Sequence, residues 1–276
     1  MTQITKPKYN VLGVEVNILT RSMFLSIIKE SISNNNKITI YTPYSEFIYK
    51  ACLDRKFREI LNSSDINIAD GVFVQIVSIY NEYTNKSKYT IINFFKLIII
   101  ILKMILRKID RTIIFPELLS GSNEVKNICN VAQENKFSIY LVGGSQNVVY
   151  KAAQNITKEF PNINILGLQS SRAYTADDQS LIDDINQKAP DILFLCYGGQ
   201  KQERWIYDYK TQIHAKVIIG LGGTFDYLSG KKKLQSKWWS DRGLNWLHRL
   251  ISEPTRLKRQ YVIIKLLWIL AKGSKY

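Results

Sequence analysis

Asp70 closes the short apolar run INIA (Ile66 to Ala69) and is followed by Gly71, so a carboxylate stands where a buried strand would end. A carboxylate so placed can take the proton of an attacking hydroxyl; its simpler use is as a helix N-cap, a common role for Asp. Three glycine pairs, Gly143-Gly144, Gly198-Gly199 and Gly222-Gly223, follow apolar runs in the same way. Glycine lets backbone N–H groups come close to an anion and a following helix start adds a favourable dipole, so these turns imply a nucleotide or sugar phosphate. Near the other end of the chain, Arg249, Arg256 and Arg259 carry guanidinium groups that bind phosphate bidentately and stay charged. Moving a glycosyl group from a nucleotide sugar needs these two parts: a base for the acceptor hydroxyl and positive charge on the departing diphosphate. No two Asp are separated by a single residue, so a D-x-D metal clamp is missing and the arginines must do the metal's work. No metal and no cofactor is expected.

Other chemistries find little material. Cys52, Cys129 and Cys196 show no C-x-x-C spacing, which fits three reduced, mostly buried thiols rather than a disulfide framework or a zinc cluster. His214 and His248 are the only imidazoles, too few for a His-rich metal site and unpromising for a Ser-His-Asp triad. No G-x-G-x-x-G follows an early strand and no P-loop occurs, which weakens dehydrogenase and NTPase readings. The N-terminal MTQITKPKYN has no apolar h-region, which places the chain in a reducing cytosol.

The elements that must position these groups alternate. Short β-branched runs lie at Ile38–Thr42, Ile66–Ala69, Phe137–Gly143, Ile163–Leu168, Asp191–Gly198 and Lys216–Gly222. Helical patterns occupy about Arg21–Ser33, Ser45–Asn62, Val72–Tyr83, Ser122–Asn135, Asn147–Phe160, Asp177–Gln187 and Gln202–Lys210. Strands that are apolar almost throughout belong to a sheet covered on both faces, so the expected fold is α/β, a Rossmann-like, mostly parallel sheet between helices. In such sheets ligands sit beyond the carboxyl ends of the strands, where Asp70 and the glycine pairs fall.

The 276 residues carry a net charge of +15, and Lys231 to Tyr276 alone holds twelve Lys/Arg against Asp241 and Glu253. Four of the five Trp lie in that stretch. Residues 1–230 therefore read as the core and 231–276 as a basic, helical, Trp-containing appendage. Basic residues among aromatics suit single-stranded nucleic acid, a membrane interface or a phosphorylated substrate. In Leu257–Lys272 the lysines recur every seventh residue on one stripe opposite a broad apolar face, the pattern of an interfacial helix or of a terminal helix docked on the core. A second apolar helix, Ile92 to Lys108, forms an insertion near 89–110. Asn93, Lys96, Lys103 and Arg107 share an arc of about 80°, and a lysine near a bilayer centre costs roughly 2.5–3.5 kcal/mol. Lying in the membrane plane with the basic stripe outward is therefore expected over spanning, with a buried core helix as the alternative. This amphipathic placement argues against a nucleic-acid partner.

Four segments carry a resemblance that covers about Val11 to Tyr261: ADG at Ala69–Gly71, GGQKQERWI at Gly198–Ile206, GLGGTFD at Gly220–Asp226, and Trp246–Arg259 with its W-x-x-R-L-x-x-E-P-x-R-L-x-R spacing. The chain resembles the WecB/TagA/CpsF bacterial glycosyltransferases, N-acetylmannosaminyltransferase-like enzymes of teichoic acid, enterobacterial common antigen and capsule assembly. The resemblance implies inverting, metal-independent transfer of an N-acetylhexosamine-type sugar from a UDP donor to a polyprenyl-diphosphate-linked acceptor, by an enzyme peripheral to the inner face of the cell membrane. It implies Asp70 as catalytic base and Thr42, Gln202 and Asp226 as active-site and sugar-binding residues. It also implies that Arg249, Arg256 and Arg259 close over the donor diphosphate. The family usually has Asn at Tyr44, Arg opening the segment at Leu118–Asn123, Pro at Gln200, R-A-P at Leu234–Ser236 and Glu at Asn245. These departures leave a second reading open: a catalytically weakened relative that binds a lipid-linked glycan or a partner enzyme.

Overall fold

The computed structural model describes residues 7–85, 87–176, 178–232, 239 and 257–273. An antiparallel hairpin, β1 (Lys8–Val11) and β2 (Val14–Asn17), comes first and is absent from the expected elements. Its turn puts both Leu12 and Gly13 at positive φ. Leu is a poor residue for that conformation, so the usual Asn-Gly signal of a two-residue hairpin is missing. The hairpin is held beside the edge of the main sheet by Asn17, whose side-chain oxygen accepts the Asn67 N–H at 2.9 Å.

The main sheet has six parallel strands: β3 (Ile38–Tyr41), β4 (Ile66–Asn67), β5 (Ser138–Gly143), β6 (Asn164–Gln169), β7 (Ile192–Cys196) and β8 (Val217–Gly220). Their spatial order is β4-β3-β8-β7-β5-β6. Each lies within about two residues of the apolar run that marked it. Alternate strand residues enter two separate cores, which is why the strands are apolar on both faces. Ile40, Leu141, Phe194 and Ile219 meet α1 (Arg21–Ser33), α6 (Gly121–Asn135) and α7 (Gln146–Glu159) on one side. Tyr41, Val142, Leu195 and Ile218 face the other side, with α2 (Ser45–Leu53), α3 (Arg55–Asn62), α4 (Val72–Tyr83), α8 (Asp178–Lys188) and α9 (Lys201–Tyr209). The helix expected over 45–62 is broken at Asp54, which is extended and caps α3 by accepting the Phe57 N–H at 3.0 Å.

The two edges of the sheet use aspartate differently. At the amino edge, Asp65 accepts from the N–H and hydroxyl of Thr39, and Asp191 does the same for Ser138, so each ties a strand start to its neighbour. At the carboxyl edge the chain turns at the glycine pairs. A Cβ on Gly143 would lie 2.5 Å from the Cys196 carbonyl, so only glycine lets the ends of β5 and β7 approach so closely.

The apolar insertion is α5 (Thr90–Ile105), and its orientation differs from the expectation. Asn93 is buried and donates to the carbonyls of Ser87 (2.8 Å) and Ala271 (3.0 Å), while Lys96 reaches back to the Asn85 carbonyl. Half of the polar arc thus serves the protein. Leu97, Ile100 and Met104 enter the core, and the outward face is apolar, with Phe95 61%, Leu102 52% and Leu106 62% exposed. Against α5 packs α11 (Leu257–Lys272), through Phe94 on Trp268 and the Asn93 contact to Ala271. Leu266, Leu267 and Leu270 bury α11 in the core, as a docked terminal helix, while Tyr261, Ile264 and Trp268 stay exposed. Among the described residues no helix is long and apolar enough to cross a membrane.

Candidate active site

Thr42, Asp70, Gln202 and the Gly222 turn converge at the carboxyl ends of β3, β4, β7 and β8. Thr42 directly follows β3, is buried, and donates its hydroxyl to the Gly220 carbonyl at 3.2 Å. Pairing of Tyr41 with Asn67 places Asp70 on the adjoining edge, just beyond the end of β4. Gly71, with φ +90°, takes the N-cap position of α4, one residue beyond Asp70. The Ala69 carbonyl accepts from the Leu119 N–H at 3.0 Å, tying this turn to the start of α6.

Gln202 sits in the first turn of α9 and is almost wholly buried. Its side-chain oxygen accepts the Gly222 N–H at 2.8 Å, and its Nε2 donates to Glu203 Oε1 at 2.6 Å. Thr42 and Gln202 therefore meet through the end of β8, one on the Gly220 carbonyl and the other on the Gly222 N–H. Asp226 follows on α10 (Thr224–Leu228), with Lys231 and Lys232 Nζ at 3.6 and 3.5 Å, so two lysines offset its charge. Arg249 and Arg256 lie outside the described residues. Arg259 falls in the first turn of α11, where the backbone alone is described.

Glu203 is the residue that reading the motif missed. It is fully buried, its Oε2 has no hydrogen-bond partner, and no salt bridge among the described residues includes it. The Tyr41 hydroxyl donates to its backbone carbonyl at 3.2 Å. Desolvation pushes the carboxyl up to about 8, and the hydrogen bond from Gln202 opposes it without reversing it. The native state then holds a proton that the unfolded chain releases. Stability should accordingly fall as pH rises from about 5 to about 8, and Glu203→Gln should flatten that slope in urea midpoints taken across the range.

The model of the glycosyl transferase WecG/TagA/CpsF family matches residues 9–101 and 100–275. The chain belongs to this family. The N-acetylglucosaminyldiphosphoundecaprenol N-acetyl-beta-D-mannosaminyltransferase of Bacillus subtilis (strain 168) is 27% identical over 271 residues, covering 98% of this chain and 93% of that protein. The enzyme of the same name from Bacillus spizizenii is 25% identical over 253 residues, covering 91% of this chain and 86% of its own.

In this WecG/TagA/CpsF glycosyl transferase α4 starts at Gly71 beside Asp70 and packs against α5. Leu119, beyond α5, bonds Ala69 next to Asp70. Trp268 and Ala271, near the end of α11, contact Phe94 and Asn93 near the start of α5, and Lys265 Nζ of α11 lies over the Tyr49 ring of α2.

Proposed function

We propose that this protein is an inverting, metal-independent glycosyltransferase that moves an N-acetylhexosamine-type sugar, ManNAc-like or a uronate, from a UDP donor to a polyprenyl-diphosphate-linked sugar in cell-surface polysaccharide assembly. The observation that carries the reading is the convergence of Asp70, Thr42 and Gln202 at the carboxyl edge. The names of the two Bacillus relatives favour the same donor sugar and a lipid-linked acceptor.

In the proposed reaction the Asp70 carboxylate takes the proton of the acceptor hydroxyl as its oxygen attacks the anomeric carbon from the face opposite UDP. A new C–O bond forms, the bond to the diphosphate oxygen breaks, and the configuration inverts. Arg249, Arg256 and Arg259 neutralise the charge that develops on the leaving UDP. Thr42 and Gln202 orient the sugar, and Asp226 adds a polar contact at the rim.

A lipid-linked acceptor requires the enzyme to work against the inner face of the cell membrane. α5 and α11 pack together and each exposes an apolar face, with the exposed Lys103, Lys265 and Lys272 on the same two helices, an arrangement that suits an anionic bilayer.

The test incubates purified protein with a panel of UDP-sugars and a short-chain polyprenyl-diphosphate sugar, with and without chelator. One UDP-N-acetylhexosamine or uronate should give product at an unchanged rate with chelator present. A chelator-sensitive product would overturn metal independence, and binding of the lipid-linked sugar without transfer from any donor would favour the weakened relative.

A further inference from the structure

We infer that Glu203 is a positioning residue that fixes the side-chain amide of Gln202 with its N–H group, rather than its oxygen, available to the sugar donor. This rests on the transferase reading of the site. A carboxamide can be inserted in two orientations of nearly the same shape, and its hydrogen bonds alone decide between them. Here both partners select one. Gly222 offers an N–H, which only the Gln202 oxygen can accept, and Glu203 offers Oε1 at 2.6 Å, which takes one Nε2 hydrogen. The second Nε2 hydrogen has no protein partner among the described residues, and we assign it to the donor. A flipped amide would set N–H against N–H at Gly222.

The pair also has no room to adjust. A Cβ on Gly220 would lie 2.9 Å from Gln202 Nε2 and 3.3 Å from Glu203 Oε1, so both side chains rest directly on the backbone of the last residue of β8. The Tyr41 hydroxyl holds the Glu203 main chain from the neighbouring strand. Yet Glu203 Oε2 is buried without a partner. A buried, half-satisfied acid is a liability for folding, and an apolar side chain of similar size would serve the core better. Its place beside Gln202 gives it a use that packing does not.

The role predicts a loss of activity out of proportion to any change in stability. In the full-length protein, Glu203→Leu removes the acceptor for Nε2 and should lower kcat/KM for the UDP-sugar about tenfold or more while Tm stays close to wild type, because the cost of the unpaired Nε2 is offset by removal of the partnerless Oε2. Glu203→Gln keeps an acceptor oxygen and should retain most of the activity. In a Gln202→Ala background Glu203→Leu should add little, because the two side chains act as one unit. Wild-type kinetics in Glu203→Leu, additive losses with Gln202→Ala, or a fall in Tm that tracks the lost activity would each overturn the inference. If the wild-type chain transfers no sugar, the transferase reading fails, and the Gln202 carboxamide protons still report on Glu203. By NMR they should be slow to exchange in wild type and in Glu203→Gln, and fast in Glu203→Leu; no difference among the three would reject the positioning role.

Discussion

Asp70→Asn is expected to lower turnover by about 10²–10⁴-fold while leaving donor affinity and Tm close to wild type. The substitution keeps the shape of the side chain and removes its capacity to take up a proton. Tm should move far less than turnover because Asn keeps the size and hydrogen-bonding oxygen of the side chain, and Gly71 holds the N-cap position of α4. Asp65→Asn is the matched control. Asp65 accepts two hydrogen bonds from Thr39 at the amino edge of the sheet, so its loss should cost stability with little direct effect on turnover by the folded fraction. Steady-state kinetics and thermal melts on the two variants separate the roles; unchanged turnover in Asp70→Asn would remove it as the base.

Much of this contrast was legible in the residues. A two-faced apolar strand followed by Asp-Gly can be read without coordinates, because burial on both faces removes alternation and glycine marks the turn. Three features were less accessible, each for a physical reason. The first hairpin is turned by Leu12-Gly13, and a leucine at positive φ carries no compositional signal. The break at Asp54 depends on a side chain folding back onto its own helix start, which a continuous helical pattern conceals. Glu203 stands among charged letters in KQERW, and only its helical spacing of three to Ile206, itself buried, puts it on the inner stripe of α9. The arc on α5 was visible, but its direction was not. Asn93 turns inward because the Ala271 carbonyl at the end of α11 needs a donor, and that partner lies far along the chain.

That direction sets up the second large effect. Phe95→Glu combined with Leu102→Glu should weaken binding to anionic vesicles about a hundredfold, since each change withdraws an apolar side chain worth about 1.5 kcal/mol on burial and adds a repelled charge. Both residues are more than half exposed, so Tm should move little. Truncation before Thr255 is a poorer probe, because it strips Leu266, Leu267 and Leu270 from the core and uncovers α5 and α2 along with any lipid contact. Tyr150→Glu, at an exposed aromatic on α7, serves as the control and should leave sedimentation with vesicles unchanged. The double variant should also separate two steps of the proposed reaction. With a short-chain, water-soluble acceptor its turnover should match wild type, whereas with a long polyprenyl acceptor held in vesicles it should fall with the binding. Equal losses on both acceptors would mean that α5 shapes the active site itself, and full vesicle binding by the double variant would remove this face as the membrane contact.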